Sequence, residues 1–151
     1  MRIGRGKEPI PERKYSVTFG KGYKVKDGKH GVIMTTGTIL TECERAIELL
    51  AKRGFNFALI NMHTIKPVDQ DLVVNIIDNF DTVFTVEEHS IIGGLGSTIA
   101  EIISEEARKK IRFKRFGVND NYLHEIGSQE YLRDKHGISA SKIADAIIDL
   151  L

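Results

Sequence analysis

Cysteine is nearly absent: Cys43 is the only one in 151 residues. No disulfide can close within the chain, and a reducing compartment, here the cytoplasm, is the default expectation. Net charge is also missing, since 22 lysines and arginines face 21 aspartates and glutamates. No field of one sign calls for nucleic acid or an anionic membrane. No apolar run approaches the roughly 20 residues that span a bilayer. Met1–Arg13 is basic and lacks an apolar centre, so it does not read as a signal peptide.

Complete chemical motifs are scarce too. The run GGLGS at 93–97 precedes a helical pattern, but Ile99 occupies the place of the third glycine in G-x-G-x-x-G. Neither is the run a phosphate-binding P-loop. Ser97 lacks the G-x-S-x-G elbow of a serine nucleophile. Glu87, Glu88 and His89 are adjacent, and adjacent strand residues point to opposite faces, so at most two share a focus. No second ligand cluster accompanies them, and no metal site is expected. Cys43 falls on the apolar side of a helical pattern, as inert core. No catalytic residue can be assigned. A reaction would need groups from another domain or chain.

What the sequence does contain is a regular alternation of strand and helix. Thr82–Val86 is short, apolar and β-branched, as a strand covered on both faces should be. Glu87, Glu88 and His89 are expected where that strand stops. Gly93, Gly94 and Gly96 then allow a tight turn and a close backbone approach. One of the carboxylates is expected to accept from N–H groups of this loop. Ser97 or Thr98 is the expected cap of a helix running to about Lys110, with Ile99, Ala100, Ile102, Ile103 and Ala107 inward.

Upstream, Val17, Phe19, Tyr23 and Val25 suggest an edge strand turning at Lys26–Lys29 into a buried strand at 32–36. Thr36, Gly37 and Thr38 form a candidate anion cradle at the first strand-to-helix turn. A helix follows to Arg53, with Gly54 as its stop. Phe57–Asn61 reads as a strand, and Asp69 as the cap of a short helix. Ile111–Phe116 alternates strictly, as a strand with one wet face does. Arg108, Lys109, Lys110, Arg112, Lys114 and Arg115 read as a solvated or interface face. Ser128 is placed to cap a helix ending at Gly137. Ser139 or Ser141 opens the last helix, with Ile143, Ala144, Ile147, Ile148 and Leu151 inward. The pattern predicts a three-layer α/β/α sandwich, its mostly parallel five-stranded sheet carrying one antiparallel edge strand. The domain spans 14–151, and residues 1–13 read as a linker.

Four pieces of sequence, in order, resemble one known family. TVEEHSIIGGLGSTIAEI at 85–102 is similar to the signature of the transketolase carboxy-terminal domain. Gly31–Gly37 resembles its first core strand and turn, Asn61–Asp69 its T-I-K-P-x-D loop, and Arg115–Asp120 with Gly127–Ser128 its last strand. Deoxyxylulose-phosphate synthases and the β subunits of 2-oxo acid dehydrogenases share this domain. The resemblance implies part of a two-carbon ketol transferase acting on sugar phosphates, inactive alone. It implies thiamine diphosphate and magnesium, held by separate pyrimidine-binding and diphosphate-binding domains, and a homodimer. Those domains are the implied partners, and Glu88, His89, Gly93, Gly94 and Gly96 the implied domain-interface loop. Ile3–Gly6 resembles the end of the pyrimidine domain's last strand, with Arg5 as the implied ligand of the substrate phosphate by position and Arg2 as the alternative. The alternative from another class is a free-standing regulatory module that binds a phosphate-bearing ligand.

Overall fold

The computed structural model describes residues 16–120 and 126–151. The assignments made for residues 1–13, Arg5 included, lie outside the described residues. In chain order the elements are β1 (Tyr23–Lys26), β2 (Gly31–Thr35), a 3-10 turn (Gly37–Ile39) leading into α1 (Leu40–Lys52), β3 (Phe57–Asn61) and α2 (Gln70–Asn79). There follow β4 (Thr82–Ser90), α3 (Leu95–Glu106), β5 (Arg112–Val118), α4 (Gln129–Lys135) and α5 (Ala140–Leu150).

The sheet order is β1-β3-β2-β4-β5. Only the β1–β3 pair is antiparallel; the other three pairs are parallel. This is the expected three-layer sandwich. Every residue of β2 and β3 is buried, which explains why both read as continuous apolar runs without alternation. Residue parity sends side chains to two cores. Ile33, Leu59, Phe84 and Phe116 meet α1 and α5 on one face. Val32, Met34, Ile60 and Val83 meet α2 and α3 on the other. On the first face, Phe84 lies between Phe57 and Phe116, with ring centroids 5.9 Å apart in both pairs.

The crossovers create a directional switch. From β2 the chain passes through α1 on one face to β3. From β3 it returns through α2 on the other face to β4, on the far side of β2. A crevice therefore opens between the carboxyl ends of β2 and β4, where such sheets ordinarily place ligands.

The structure departs from several expectations. β4 does not stop at Val86 but continues to Ser90, with a register irregularity against β5 between Val86 and Ser90. β1 begins at Tyr23, leaving Val17 and Phe19 outside it and exposed. It does not hairpin into β2; it pairs with β3, and the segment between them crosses the start of β3. There the N–H groups of Lys29 and His30 donate to the Asn56 carbonyl, at 2.9 Å each. Gly28 is required at that crossing, because a Cβ there would collide with the backbone of Phe57 and Ala58. α3 starts at Leu95 and ends at Glu106, which puts Ser97 and Thr98 inside the helix rather than at its cap. Leu151 is exposed, not inward.

Candidate functional site

The carboxyl rim of β4 divides its acidic residues by parity. Glu87 shares a face with Val83 and Thr85 and points towards α3, while Glu88 points the other way, towards the α1 and α4 side. Glu87 is 1% exposed, and its carboxylate accepts from the N–H of Leu95 at 2.9 Å and of Gly96 at 2.8 Å. These are free donors of the first turn of α3, so the carboxylate caps the helix from a neighbouring strand. The expected carboxylate-to-loop bond is therefore Glu87's, and it supplies the cap sought at Ser97 or Thr98.

The glycines are explained by this contact. A Cβ on Gly94 would collide with the Glu87 carboxylate. A Cβ on Gly96 would lie 2.7 Å from Thr85 Oγ1 and 2.8 Å from Arg115 Cδ. Gly93 has φ +76°, the left-handed region that favours glycine. The turn tip is tied as well. Ser97 Oγ accepts from Gly93 N–H at 2.9 Å and donates to the Ile91 carbonyl at 3.0 Å. Arg115 also donates to that carbonyl, at 2.7 Å. Arg115 thus leaves the basic face assigned to it and braces the turn. Arg112 and Lys114 stay exposed on the other side of β5.

Glu88 sits at the switch-point crevice. Its Oε2 accepts from Thr38 Oγ1 at 2.9 Å and from an Arg133 terminal nitrogen at 2.7 Å. Gln129 Nε2 donates to both carboxylate oxygens, at 3.0 and 3.2 Å. One carboxylate thereby joins β4, the turn after β2, and α4. Partial burial works to raise the Glu88 pKa, but the bonds from Arg133, Gln129 and Thr38 outweigh it and hold it below the usual carboxylate range. Of the candidate cradle, Thr38 is engaged by Glu88, Gly37 has φ +72°, and Thr36 makes no side-chain cap bond.

Arg133 was not legible as a site residue. It is 6% exposed, it is the only buried side chain of α4, and its Nε has no partner. Beside it a cleft of about 370 Å³ is lined by Glu88, His89, Val118, Leu132, Arg133 and Ile138. His89 itself is exposed, with Nδ1 3.0 Å from the Ser90 carbonyl.

Two further buried carboxylates hold the frame. Glu42, at 7% exposure, accepts from Ala140 N–H at 2.9 Å and so caps α5 from α1. Asp69 accepts from Lys21 at 3.0 Å, Gly22 N–H at 3.1 Å and Leu72 N–H at 3.4 Å. Burial opposes its charge, but these donors prevail and its pKa is lowered. Cys43 is fully buried, and desolvation pushes its thiol up to about 12. No helix among the described residues is long and apolar enough to cross a membrane.

This arrangement defines an α/β sandwich domain whose polar, shaped surface is the carboxyl rim of its sheet. Known sequences and structures give the family. The profile for the transketolase, C-terminal domain family matches residues 20–143, and the chain belongs to that family. It is 36% identical over 147 residues to a putative transketolase C-terminal section of Methanocaldococcus jannaschii, covering 96% of this chain and 45% of that protein. It is also 36% identical over 142 residues to the 1-deoxy-D-xylulose-5-phosphate synthase of Halothermothrix orenii, covering 89% of this chain and 22% of the synthase. A solved structure described as a split gene transketolase, inactive beta4 tetramer, matches with a TM-score of 0.80 at 30% identity. That match covers 97% of this chain and 46% of the solved one. The chain spans less than half the length of these relatives.

Proposed function

We propose that this chain is the carboxy-terminal part of a transketolase that moves a two-carbon ketol unit between sugar phosphates in the cytoplasm. The observation that carries the reading is the match over 96% of this chain to a transketolase C-terminal section. In this reading the chain supports a homodimer and is inactive alone. The synthase relative makes deoxyxylulose-phosphate synthesis the second reading.

The described residues do not fit the coenzyme. The Leu95 and Gly96 amides at the N-terminus of α3 are already taken up by the buried Glu87 carboxylate. Among the described residues no group of three or more His, Cys, Asp or Glu side chains could hold a metal ion. In this reading thiamine diphosphate and magnesium are held by the pyrimidine-binding and diphosphate-binding domains. Arg5 remains the proposed substrate-phosphate ligand.

The proposed face towards those domains is the rim built by Glu88, His89, Gly93, Gly94 and Gly96. Support comes from an exposed apolar side chain on the glycine turn: Ile92 is 59% exposed. The Glu87 cap and the Arg115 brace fix the turn before any partner arrives, which limits the ordering cost of docking. Titrating thiamine diphosphate and magnesium into the chain alone, followed by calorimetry, should give no binding heat. Saturable binding would sink the assignment of the coenzyme to other domains. In the complete enzyme, exchange protection at the opposite sheet edge instead of 88–96 would sink the assigned interface.

A further inference from the structure

The switch-point crevice carries an inference independent of the enzyme assignment. Thr38, Gln129 and Arg133 converge on a single anionic group, and that group is the chain's own Glu88 carboxylate. The donors come from two separate segments: Thr38 from the turn after β2, and Gln129 and Arg133 from one face of α4. A buried guanidinium, a hydroxyl and an amide around one carboxylate are the chemistry of an oxyanion receptor. The donor set has capacity to spare, because Arg133 Nε is buried and unpartnered. Its position agrees, since it lies between the carboxyl ends of β2 and β4, at the crevice where the crossovers diverge. It also borders the cleft of about 370 Å³, whose Val118, Leu132 and Ile138 side chains could cover an apolar body, within the range of about 300–1,000 Å³ typical of ligand pockets.

We propose that Thr38, Gln129 and Arg133 form a masked site for a small phosphoryl-bearing anion, with Glu88 acting as a tethered substitute for the ligand. The ligand's phosphoryl oxygens take the donors as Glu88 swings out towards solvent, which its 29% side-chain exposure permits. The tether keeps the carboxylate at high effective concentration, so the intact chain binds weakly. Removing the carboxylate unmasks the receptor. No covalent step is involved.

The test compares the full chain with Glu88→Gln and Glu88→Ala, each alone and combined with Arg133→Met. Inorganic phosphate and glycerol 3-phosphate are the probes, at fixed ionic strength, and backbone amide shifts of Thr38 and Arg133 report occupancy. Both Glu88 variants should bind phosphate at least tenfold more tightly than the intact chain, and Arg133→Met should abolish the gain. Tighter binding of glycerol 3-phosphate than of phosphate would show that the cleft takes an organic body; equal binding would show a site for the phosphoryl group alone. Either result supports the site. No gain in either Glu88 variant overturns it, as does a gain that survives Arg133→Met. If both Glu88 variants fail to fold, the carboxylate is a structural keystone rather than a ligand substitute, and the proposal is likewise overturned.

Discussion

Replacing Glu87 by alanine tests the physical reading of the rim most sharply. The substitution strands the N–H groups of Leu95 and Gly96, both in buried hydrogen bonds of 2.9 and 2.8 Å. Each orphaned buried donor costs about 1–3 kcal/mol. Two donors give roughly 2–6 kcal/mol, and the loss of an anion at a helix N-terminus acts in the same direction. Small domains are stable by only about 5–15 kcal/mol, so the variant should be severely weakened. Taking 4 kcal/mol as the centre, and a urea slope of about 2 kcal/mol/M, the midpoint should fall by about 2 M. Glu87→Gln keeps one acceptor and should lose about half as much. The assay is urea unfolding followed by far-ultraviolet circular dichroism, with slopes compared to confirm that the two states are unchanged. A loss below about 1 kcal/mol for Glu87→Ala would refute the claim that this carboxylate caps α3.

Gly94→Ala should cost about 1–3 kcal/mol through overpacking against the Glu87 carboxylate, and markedly less in a Glu87→Ala background, because the two share one contact. The same urea series over the double-mutant cycle checks this. Cys43 should resist maleimide at pH 8 in the native chain and react on unfolding, since its thiol pKa is pushed up to about 12 by burial; fast native labelling would contradict its placement. Acid stability follows from Glu88 and Asp69, whose folded pKa values are both lowered. Their contribution is present above the ordinary carboxylate values of 4.5 and 3.8 and is lost as pH falls through the lowered folded values. Glu88→Gln and Asp69→Asn should each flatten the fall in stability below about pH 4.5. An unchanged slope in either variant would count against that residue's network.

Legibility in the sequence followed physical range. Phe57–Ile60 was readable because the middle of a strand buried on both faces is apolar, and the strand closes on the buried but polar Asn61, which donates to the Tyr23 hydroxyl at 2.7 Å. Asp69 and Ser128 were readable as caps because their partners, Leu72 and Tyr131, lie three residues on. The α3 cap was assigned to Ser97 or Thr98 by the same local rule. The rule failed because the acceptor is Glu87, on the preceding strand and across the glycine turn. The pairing of β1 with β3 was hidden for a similar reason: a turn signal at 26–29 says that the chain bends, not which strand it passes. Arg115 looked like one more charge on a basic surface, although strand parity places it on the α3 side with Phe113. Arg133 gave no local signal at all. Its partner Glu88 lies 45 residues away in sequence, and only the fold brings them together. Glu42 did leave a trace, since it occupies the buried side of α1 among Ile39, Cys43 and Ala46, where an unpaired carboxylate would be costly.

The proposed function makes the chain a necessary part of a transketolase rather than a self-sufficient protein. The most direct measurement is ketol transfer between sugar phosphates, with thiamine diphosphate and magnesium present. It would be run on this chain, on the pyrimidine-binding and diphosphate-binding domains from the same source, and on their mixture. The account predicts turnover in the mixture and none from this chain. Turnover by this chain alone, or full turnover by the other domains without it, would contradict the account.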